Sequence, residues 1–239
     1  MLFRSVPHYG LKQKISTMKT YYRRHLPHIM PIGATFFMTW RLFGSIPAHV
    51  MKQIDDEHKQ DLAQLDKDKI SLKLTQDDFN ARKYMLERQH YLRFDDELDA
   101  AKEDSPHHLR DPKIAKIVEN SMRAYDKKWY DLLAFCIMSN HVHALLDFSI
   151  QLPKDNFAPF DDTQYVQLHT VMKHIKGTSA ANINHECRRT GRFWQPESYD
   201  RYIRNGKHLF QATEYIRNNP VKAGICKNWE EFPFTYVKP

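Results

Sequence analysis

Two histidines separated by a single residue, His141 and His143, are the side chains of this chain best spaced to hold a metal ion. They lie in an apolar run, HVHALLDF (141–148), of a composition typical of a β-strand. Side chains alternate between the two faces of a strand, so both imidazoles project from one face, about 6.6 Å apart along the chain. Their ring nitrogens can therefore converge on one divalent cation.

Other uses of this histidine pair fit the sequence less well. A histidine triad would need a third histidine at position 145, which is Leu145. A metallo-hydrolase of the H-x-H-x-D-H kind would need an acid there and a histidine at Leu146. Since the chain has 14 histidines, about one H-x-H pair is expected by chance, so a purely structural pair remains the competing interpretation.

A tyrosine and an asparagine four residues apart stand on the last helix that the sequence predicts, from about Lys207 to Asn219, where Pro220 ends it. Residues at this spacing share a helix face, so Tyr215 and Asn219 point together. A phenol with its ordinary pKa near 10 is a poor nucleophile, but a metal that polarises a phosphate lets it attack. Asn219 could then supply an oxygen ligand; the alternatives are a half-buried aromatic and a helix cap.

The elements that must position these residues form an α+β pattern. A β-branched and aromatic strand is predicted at 34–43, and two apolar runs at 132–138 and 141–148 form a hairpin around Ser139-Asn140. A helix follows at about 163–186, and the segment 193–204 is expected to be extended or irregular. This order predicts a largely antiparallel sheet flanked by helices, within a single domain covering residues 1–239.

Charge is distributed unevenly along this chain. The net charge is +7, and no acidic residue precedes Asp55, so residues 1–30 form a basic arm. A one-signed block of this kind attracts polyanions, which makes nucleic acid the expected partner. Residues from about 48 to 127 are charged and helix-forming, which predicts a helical insertion. The candidate DNA-binding residues are Lys12, Lys14, Arg23, Arg24, Lys173 and Lys176.

Cysteine use and hydropathy restrict the cellular setting. The three cysteines lie far apart without a C-x-x-C pair, so neither a disulfide framework nor a zinc knuckle is predicted. No stretch reaches the roughly 18 apolar residues of a membrane span. A soluble cytoplasmic protein is the expectation.

Four blocks of this sequence together resemble one family. The blocks are MSNHVHALLDF (138–148), KHIKGTSAANIN (173–184), FWQPESYDRYIRN (193–205) and EYIRNNPVKAGIC (214–226). In this combination the chain resembles the REP-associated tyrosine transposases, relatives of the single-tyrosine insertion-sequence transposases in the HUH nuclease superfamily. The similarity begins at the strand near Thr35–Arg41 and continues to WEEFPFTYV (229–237).

The resemblance implies a ferredoxin-like core whose central strand carries the metal ligands His141 and His143. It also implies that Tyr215 is the nucleophile, with Asn219 at the family's Asn or Gln position, and that the cofactor is Mg²⁺ or Mn²⁺. Tyr199 and Tyr202 compete with Tyr215 because they lie in a matching block. The implied activity is nicking and rejoining of single-stranded DNA beside short palindromic hairpins through a 5′-phosphotyrosine, by a monomer in preference to a dimer.

The alternative from another functional class is a non-catalytic protein that binds DNA or RNA hairpins. In that case the basic surface would bind the nucleic acid and the histidines would be structural. Formation of a covalent DNA adduct separates the two readings.

Overall fold

The computed structural model describes residues 21–23, 27–100, 105–155 and 160–239. The chain divides into two compact units. One comprises the described residues up to Phe43 together with His108–Pro239, and the other is Gly44–His107. All predicted site residues that the structure describes belong to the first unit.

An antiparallel sheet of five strands forms the centre of the first unit. A two-stranded ribbon, β1 (Tyr21–Arg23) and β2 (Pro27–Ile29), precedes it in the chain. Within the sheet the spatial order is β6-β3-β5-β4-β7, with every neighbouring pair antiparallel. The strands of the sheet are β3 (Thr35–Arg41), β4 (Asp131–Ile137), β5 (His141–Asp147), β6 (Tyr199–Tyr202) and β7 (Thr235–Val237).

Three helices complete this unit: α3 (Pro112–Arg123), α4 (Leu168–Glu186) and α5 (Gly206–Lys222). The chain order β3-α3-β4-β5-α4-β6, with spatial strand order β6-β3-β5-β4, is that of a ferredoxin-like fold. The predicted α+β class with a ferredoxin-like core is therefore confirmed. Strand β7 extends the sheet beyond β4.

The two faces of the sheet have different roles. Alternate residues of the central strands, including Trp40, Val142 and Leu146, face the apolar core and pack with residues of α3 and α4. The intervening residues of β5, among them His141 and His143, project from the opposite face, and α5 packs against β4 and β5. Strand β5 is therefore buried on both faces, with apolar residues alone on one face and two imidazoles on the other.

The helical insertion is shorter than the predicted range of about 48–127. Its two long helices, α1 (Ala48–Ser71) and α2 (Gln76–Asp99), lie in the unit Gly44–His107, where they contact each other. Helix α3 also carries charged side chains, but it buries Val118 and Met122 in the core of the first unit. Its amphipathic pattern makes it a core helix of the ferredoxin-like fold, and the insertion ends before it.

Two predicted helix boundaries also shift. Helix α5 continues through Pro220 to Lys222. A proline in the last turn removes only a single backbone hydrogen bond, and Pro220 is buried at this position. Helix α4 begins at Leu168 and not near Thr163, because Asp161 accepts a hydrogen bond from the Thr163 amide and caps a separate short 3₁₀ turn.

The assignment of the core face can be tested by truncating one side chain of β5. Leu146→Ala should lower the free energy of unfolding by about 2–5 kcal/mol, because Leu146 is fully buried in the apolar core. Ile150→Ala is the matched control, since that side chain is 39% exposed. Urea unfolding measures both, and an equally small loss in the two variants would contradict the assignment.

Candidate metal and nucleophile site

The candidate site lies on the face of the sheet that carries the two histidines of β5. His143 is paired in register with Thr39 of β3, and His141 with Arg41. Both imidazoles are almost completely buried, at 1% exposure for His141 and 0% for His143. Their ring centroids are 4.6 Å apart, so the two side chains meet as the strand periodicity predicts.

The two imidazoles converge through their Nε2 atoms, which are 3.0 Å apart. Neighbouring ligands of an octahedral ion, each about 2.1 Å from the metal, are also separated by about 3.0 Å. The spacing of these nitrogens therefore fits two adjacent positions of one small divalent cation. Without a cation, one ring would have to donate a hydrogen bond to the other.

Each imidazole is oriented by a partner on its Nδ1 atom. His143 Nδ1 is 2.8 Å from Thr39 Oγ1, and His141 Nδ1 is 2.7 Å from Asn140 Oδ1. An amide oxygen only accepts, so His141 Nδ1 carries the proton and Nε2 presents its lone pair. Outer partners of this kind fix the tautomer and the ring orientation of metal-ligating histidines.

The protonation state of His143 also suits ligation. Burial, together with the positive charge of Lys222, lowers the pKa of His143 from its ordinary value near 6.5 to about 3. The ring is therefore neutral at physiological pH. Because metal binding requires a deprotonated imidazole, no proton has to be removed before His143 can bind a cation.

Tyr215 packs directly beside this pair. Its ring centroid is 5.4 Å from that of His143 and 5.9 Å from that of Phe37, in edge-to-face arrangements. The Phe37 ring in turn stacks on His143 at 5.7 Å. Tyr215 is only partly buried, so it is the member of this cluster that solvent reaches. The structure therefore brings a phenol and two imidazoles together.

Asn219 is a buried amide without a partner. It is 1% exposed, and neither Oδ1 nor Nδ2 has a hydrogen-bond partner among the described residues. Leaving such a group unsatisfied costs about 1–3 kcal/mol. It lies one helical turn beyond Tyr215 on α5, the helix that packs against β5. Its free amide oxygen fits the predicted role of an oxygen ligand, and the alternative of a helix cap does not apply because the C-cap of α5 is Ala223.

The two competing tyrosines lie on opposite faces of β6. Tyr202 pairs with Phe36 and packs against the apolar core, away from the histidines. Tyr199 pairs with Thr39 and so shares the face of His143, but it is two strands away, about 10 Å. Of the three phenol rings, that of Tyr215 therefore packs against the histidine pair.

The predicted DNA-binding residues are only partly described by the structure. Lys12, Lys14 and Arg24 lie outside the described residues, and Arg23 is described only as part of the backbone of β1. Lys173 and Lys176 belong to α4, which packs on the core face of the sheet, opposite the histidines.

Within α4 these two lysines differ. Lys173 is exposed. Lys176 donates to Gln195 O, Pro196 O and Ser198 Oγ at 2.7–2.9 Å. That geometry favours a structural role for Lys176 in holding the loop before β6.

An exposed tryptophan could stack on unpaired bases, but Trp194 is a core residue. It is 6% exposed, and its Nε1 donates to Ser179 Oγ at 2.9 Å. Its ring packs edge-to-face on Trp40, which is fully buried. Because the ring is buried, it is not accessible to bases.

Sequence reasoning did not single out Thr39 and Asn140, the two residues that orient the imidazoles. Thr39 belongs to a strand more than 100 positions away from His143, and only the pairing register brings them together. Asn140 lies in the block MSNHVHALLDF, where its position predicts only a turn residue of the hairpin. A search for polar side chains opposite the histidines would have required the strand order first.

A threonine-to-valine change tests whether Thr39 positions His143. Thr39→Val removes the hydroxyl at nearly constant volume, and loss of such an outer partner should weaken Mn²⁺ binding by about 10–100-fold. Thr235→Val is the control, because Thr235 lies on β7 and its hydroxyl contacts Cys136 Sγ. Isothermal titration with Mn²⁺ measures both, and identical affinities in Thr39→Val and the unmutated protein would contradict the role.

Comparison with known proteins identifies a relative by sequence. No protein-family model matches the chain. A Haemophilus influenzae protein described as a "Putative REP-associated tyrosine transposase" is 29% identical over 108 residues, which is 44% of this chain and 58% of that protein. The chain thus matches little more than half of this relative's length. The match confirms the resemblance that the four sequence blocks indicated.

A solved structure is also similar in part. It is a REP-associated tyrosine transposase bound to a REP hairpin, 17% identical, with a TM-score of 0.44 over 91% of this chain and 82% of that one.

Among the described residues, no helix has both the length and the apolar character needed to cross a membrane.

Proposed function

We propose that this chain is a divalent-metal-dependent endonuclease and strand transferase for single-stranded DNA, in which Tyr215 is the nucleophile. The proposal rests on the close packing of three side chains, Tyr215, His143 and His141. The ring of Tyr215 lies 5.4 Å from that of His143, whose Nε2 is 3.0 Å from Nε2 of His141. The sequence match to a tyrosine transposase supports the same chemistry.

The covalent step is a transesterification. Tyr215 Oη attacks the scissile phosphorus and loses its proton, a Tyr–O–P bond forms, and the P–O3′ bond breaks. The departing 3′ oxygen takes up a proton, so the products are a 5′-phosphotyrosine and a free 3′-hydroxyl. Attack by a 3′-hydroxyl on the phosphotyrosine reverses the bonds and rejoins DNA. No water is consumed, and this is why one site could both cut and transfer strands.

Side chains of this protein would prepare that step in distinct ways. His141, His143 and the unpartnered oxygen of Asn219 would hold Mg²⁺ or Mn²⁺, which supplies Lewis acidity toward the phosphate when bound. Asn140 directs the Nε2 lone pair of His141 inward, and Thr39 holds the orientation of the His143 ring. Correct placement of the phenol before reaction lowers the entropic part of the barrier.

The substrate class and cellular setting follow from the same proposal. The resemblance to REP-associated transposases points to single-stranded DNA beside palindromic hairpins as the substrate. Both histidines and Tyr215 come from one chain, so a monomer contains all three groups. Action on chromosomal repeats would take place in the cytoplasm.

A doubly labelled oligonucleotide tests the proposal. A single-stranded hairpin substrate with different fluorophores at its 5′ and 3′ ends is incubated with the protein and Mn²⁺, or with EDTA, and resolved on a denaturing gel. We expect the 3′ label to remain on the protein band only with Mn²⁺, since a 5′-phosphotyrosine retains the 3′ portion of the strand. Binding without cleavage would instead indicate a hairpin-binding protein, and cleavage without an adduct a hydrolase that uses water.

A further inference from the structure

A cluster of basic side chains surrounds the junction between β6 and α5. Four of the eight residues from 201 to 208 are basic or imidazole groups, and no acid occurs between Asp200 and Glu214. Glu214 is itself paired with Arg217. The segment 201–213 therefore has an excess of basic over acidic side chains. Its members are Arg201, Arg204, Lys207 and His208.

Arg201 is the unusual member of this cluster. It is half-buried, yet among the described residues it has neither a hydrogen-bond nor an ion-pair partner. Cations removed from water are normally paired with an anion, because desolvation is costly. An unpaired guanidinium in this position suggests an anionic ligand, and guanidinium geometry matches phosphate oxygens well.

The strand register places Arg201 beside the candidate nucleophile site. Arg201 pairs with Phe37, on the face of the sheet where the Phe37 ring packs on both His143 and Tyr215. Strand spacing and rise put the Cα atoms of Arg201 and His143 about 12 Å apart. An extended arginine covers part of that distance, so a phosphate held by Arg201 would lie within a few nucleotides of one held at the histidines.

The remaining cations flank the same junction between β6 and α5. Lys207 is exposed in the first turn of α5, and the Arg204 guanidinium lies 5.3 Å from the centroid of the Tyr202 ring. Burial and then the charges of Arg201, Arg204 and Lys207 lower the pKa of His208, so all three act on one imidazole. The start of α5 adds a partial positive charge of the same sign.

We propose that Arg201, Arg204 and Lys207 form a binding site for the phosphodiester backbone of single-stranded DNA, next to the site of Tyr215. The choice of DNA as the ligand rests on the proposed function. The site holds the strand at a second point, which fixes the scissile phosphate relative to the nucleophile. The site would contact the phosphates, which are the same in every sequence, so binding should not depend on base identity.

Salt-dependent binding tests this site without requiring catalysis. In a Tyr215→Phe background with EDTA, anisotropy of an unstructured labelled oligonucleotide is measured over a range of salt concentrations. Combining Arg201→Gln, Arg204→Gln and Lys207→Gln should make the slope of log K against log salt shallower by about 2, since each single-strand contact contributes about 0.7. Affinity at low salt should fall on the order of tenfold or more.

A charge-matched control separates this site from general polyanion attraction. Lys113→Gln, Lys128→Gln and Lys154→Gln remove the same number of charges from exposed positions elsewhere in the first unit. These changes should leave the slope close to that of the parent protein. An unchanged slope in the β6–α5 variant, or an equal loss in the control, would overturn the proposal.

Two further measurements identify the phosphates that the site binds and provide a test in case the triple variant does not fold. In the first measurement, single phosphates of the oligonucleotide are replaced by neutral methylphosphonates. At the phosphates that the site binds, the replacement should weaken binding to the parent protein but not to the triple variant. If the replacement and the triple substitution have additive effects at every position, the proposal is overturned. If the triple variant does not fold, Lys207→Gln alone, at an exposed position, should still reduce the slope by about 0.7. Because the binding measurement requires neither the Tyr215 hydroxyl nor a metal ion, its result is independent of whether the protein forms a covalent adduct.

Discussion

Tyr215→Phe should abolish the covalent DNA adduct and lower the cleavage rate by about 1,000-fold or more, because it removes the oxygen that attacks phosphorus. The ring stays in place, so its packing against His143 and Phe37 is retained. We therefore expect an unchanged melting temperature and unchanged affinity for single-stranded DNA. Gel quantification of the labelled protein band over time measures the effect.

Two matched variants make this result specific to one tyrosine. Tyr202→Phe alters a phenol that packs against the apolar core, and it should leave adduct formation near that of the unmutated protein. Tyr199→Phe alters a phenol on the histidine face, two strands from His143, and a modest effect on the rate is expected. Loss of the adduct in Tyr199→Phe together with its survival in Tyr215→Phe would reassign the nucleophile.

His143→Ala should eliminate Mn²⁺ binding at the site and, with it, DNA cleavage. In the unmutated protein, Mn²⁺ at about 100 times its dissociation constant should stabilise the fold by about 2.7 kcal/mol, because only the folded state presents both nitrogens. The variant should show no such metal-dependent stabilisation. Thermal melts with and without Mn²⁺ measure this difference within each protein, so a lower intrinsic stability of the variant does not obscure it.

His185→Ala is the control for the metal experiment. His185 is exposed near the end of α4, away from the two converging imidazoles. The Mn²⁺-dependent shift of its melting temperature should equal that of the unmutated protein. A full Mn²⁺ response in His143→Ala would show that the cation binds elsewhere and would remove the basis for metal-assisted attack.

Local patterns in the sequence predicted the part of the site that lies within one strand. Alternation along residues 141–148 put His141 and His143 on one face and Val142, Ala144, Leu146 and Phe148 on the other, as the structure has them. The i, i+4 spacing likewise predicted a shared face for Tyr215 and Asn219 on α5. Such inferences succeed because period 2 and period 3.6 are properties of the backbone and need no knowledge of tertiary contacts.

Properties that depend on strand pairing could not be inferred in the same way. Tyr199 and Tyr202 differ in their face of β6, but sequence does not reveal which face meets the histidines until β6 is paired with β3. The same holds for Thr39 and for Arg201, whose significance depends on their neighbours across the sheet. One residue of register shift would exchange the faces, so these contacts are decided by the whole fold.

Helix boundaries failed for a different reason. Helices α1, α2 and α3 are all charged and contain few glycines or prolines, so composition alone made them one insertion. Only α3 buries a continuous apolar stripe, with Val118 and Met122 in the core of the first unit. Propensity shows that a segment is helical, whereas tertiary packing decides to which unit it belongs.

Mapping the DNA-linked residue by mass spectrometry tests whether Tyr215 is the nucleophile. Unmutated protein is trapped with a single-stranded hairpin oligonucleotide and Mn²⁺, the DNA is digested to a short stub, and the protease-generated peptides are sequenced by mass spectrometry. We expect a phosphonucleotide on Tyr215, within the peptide that contains Glu214 and Ile216. A modified residue other than Tyr215, or cleaved DNA with no modified residue in a fully covered chain, would contradict it.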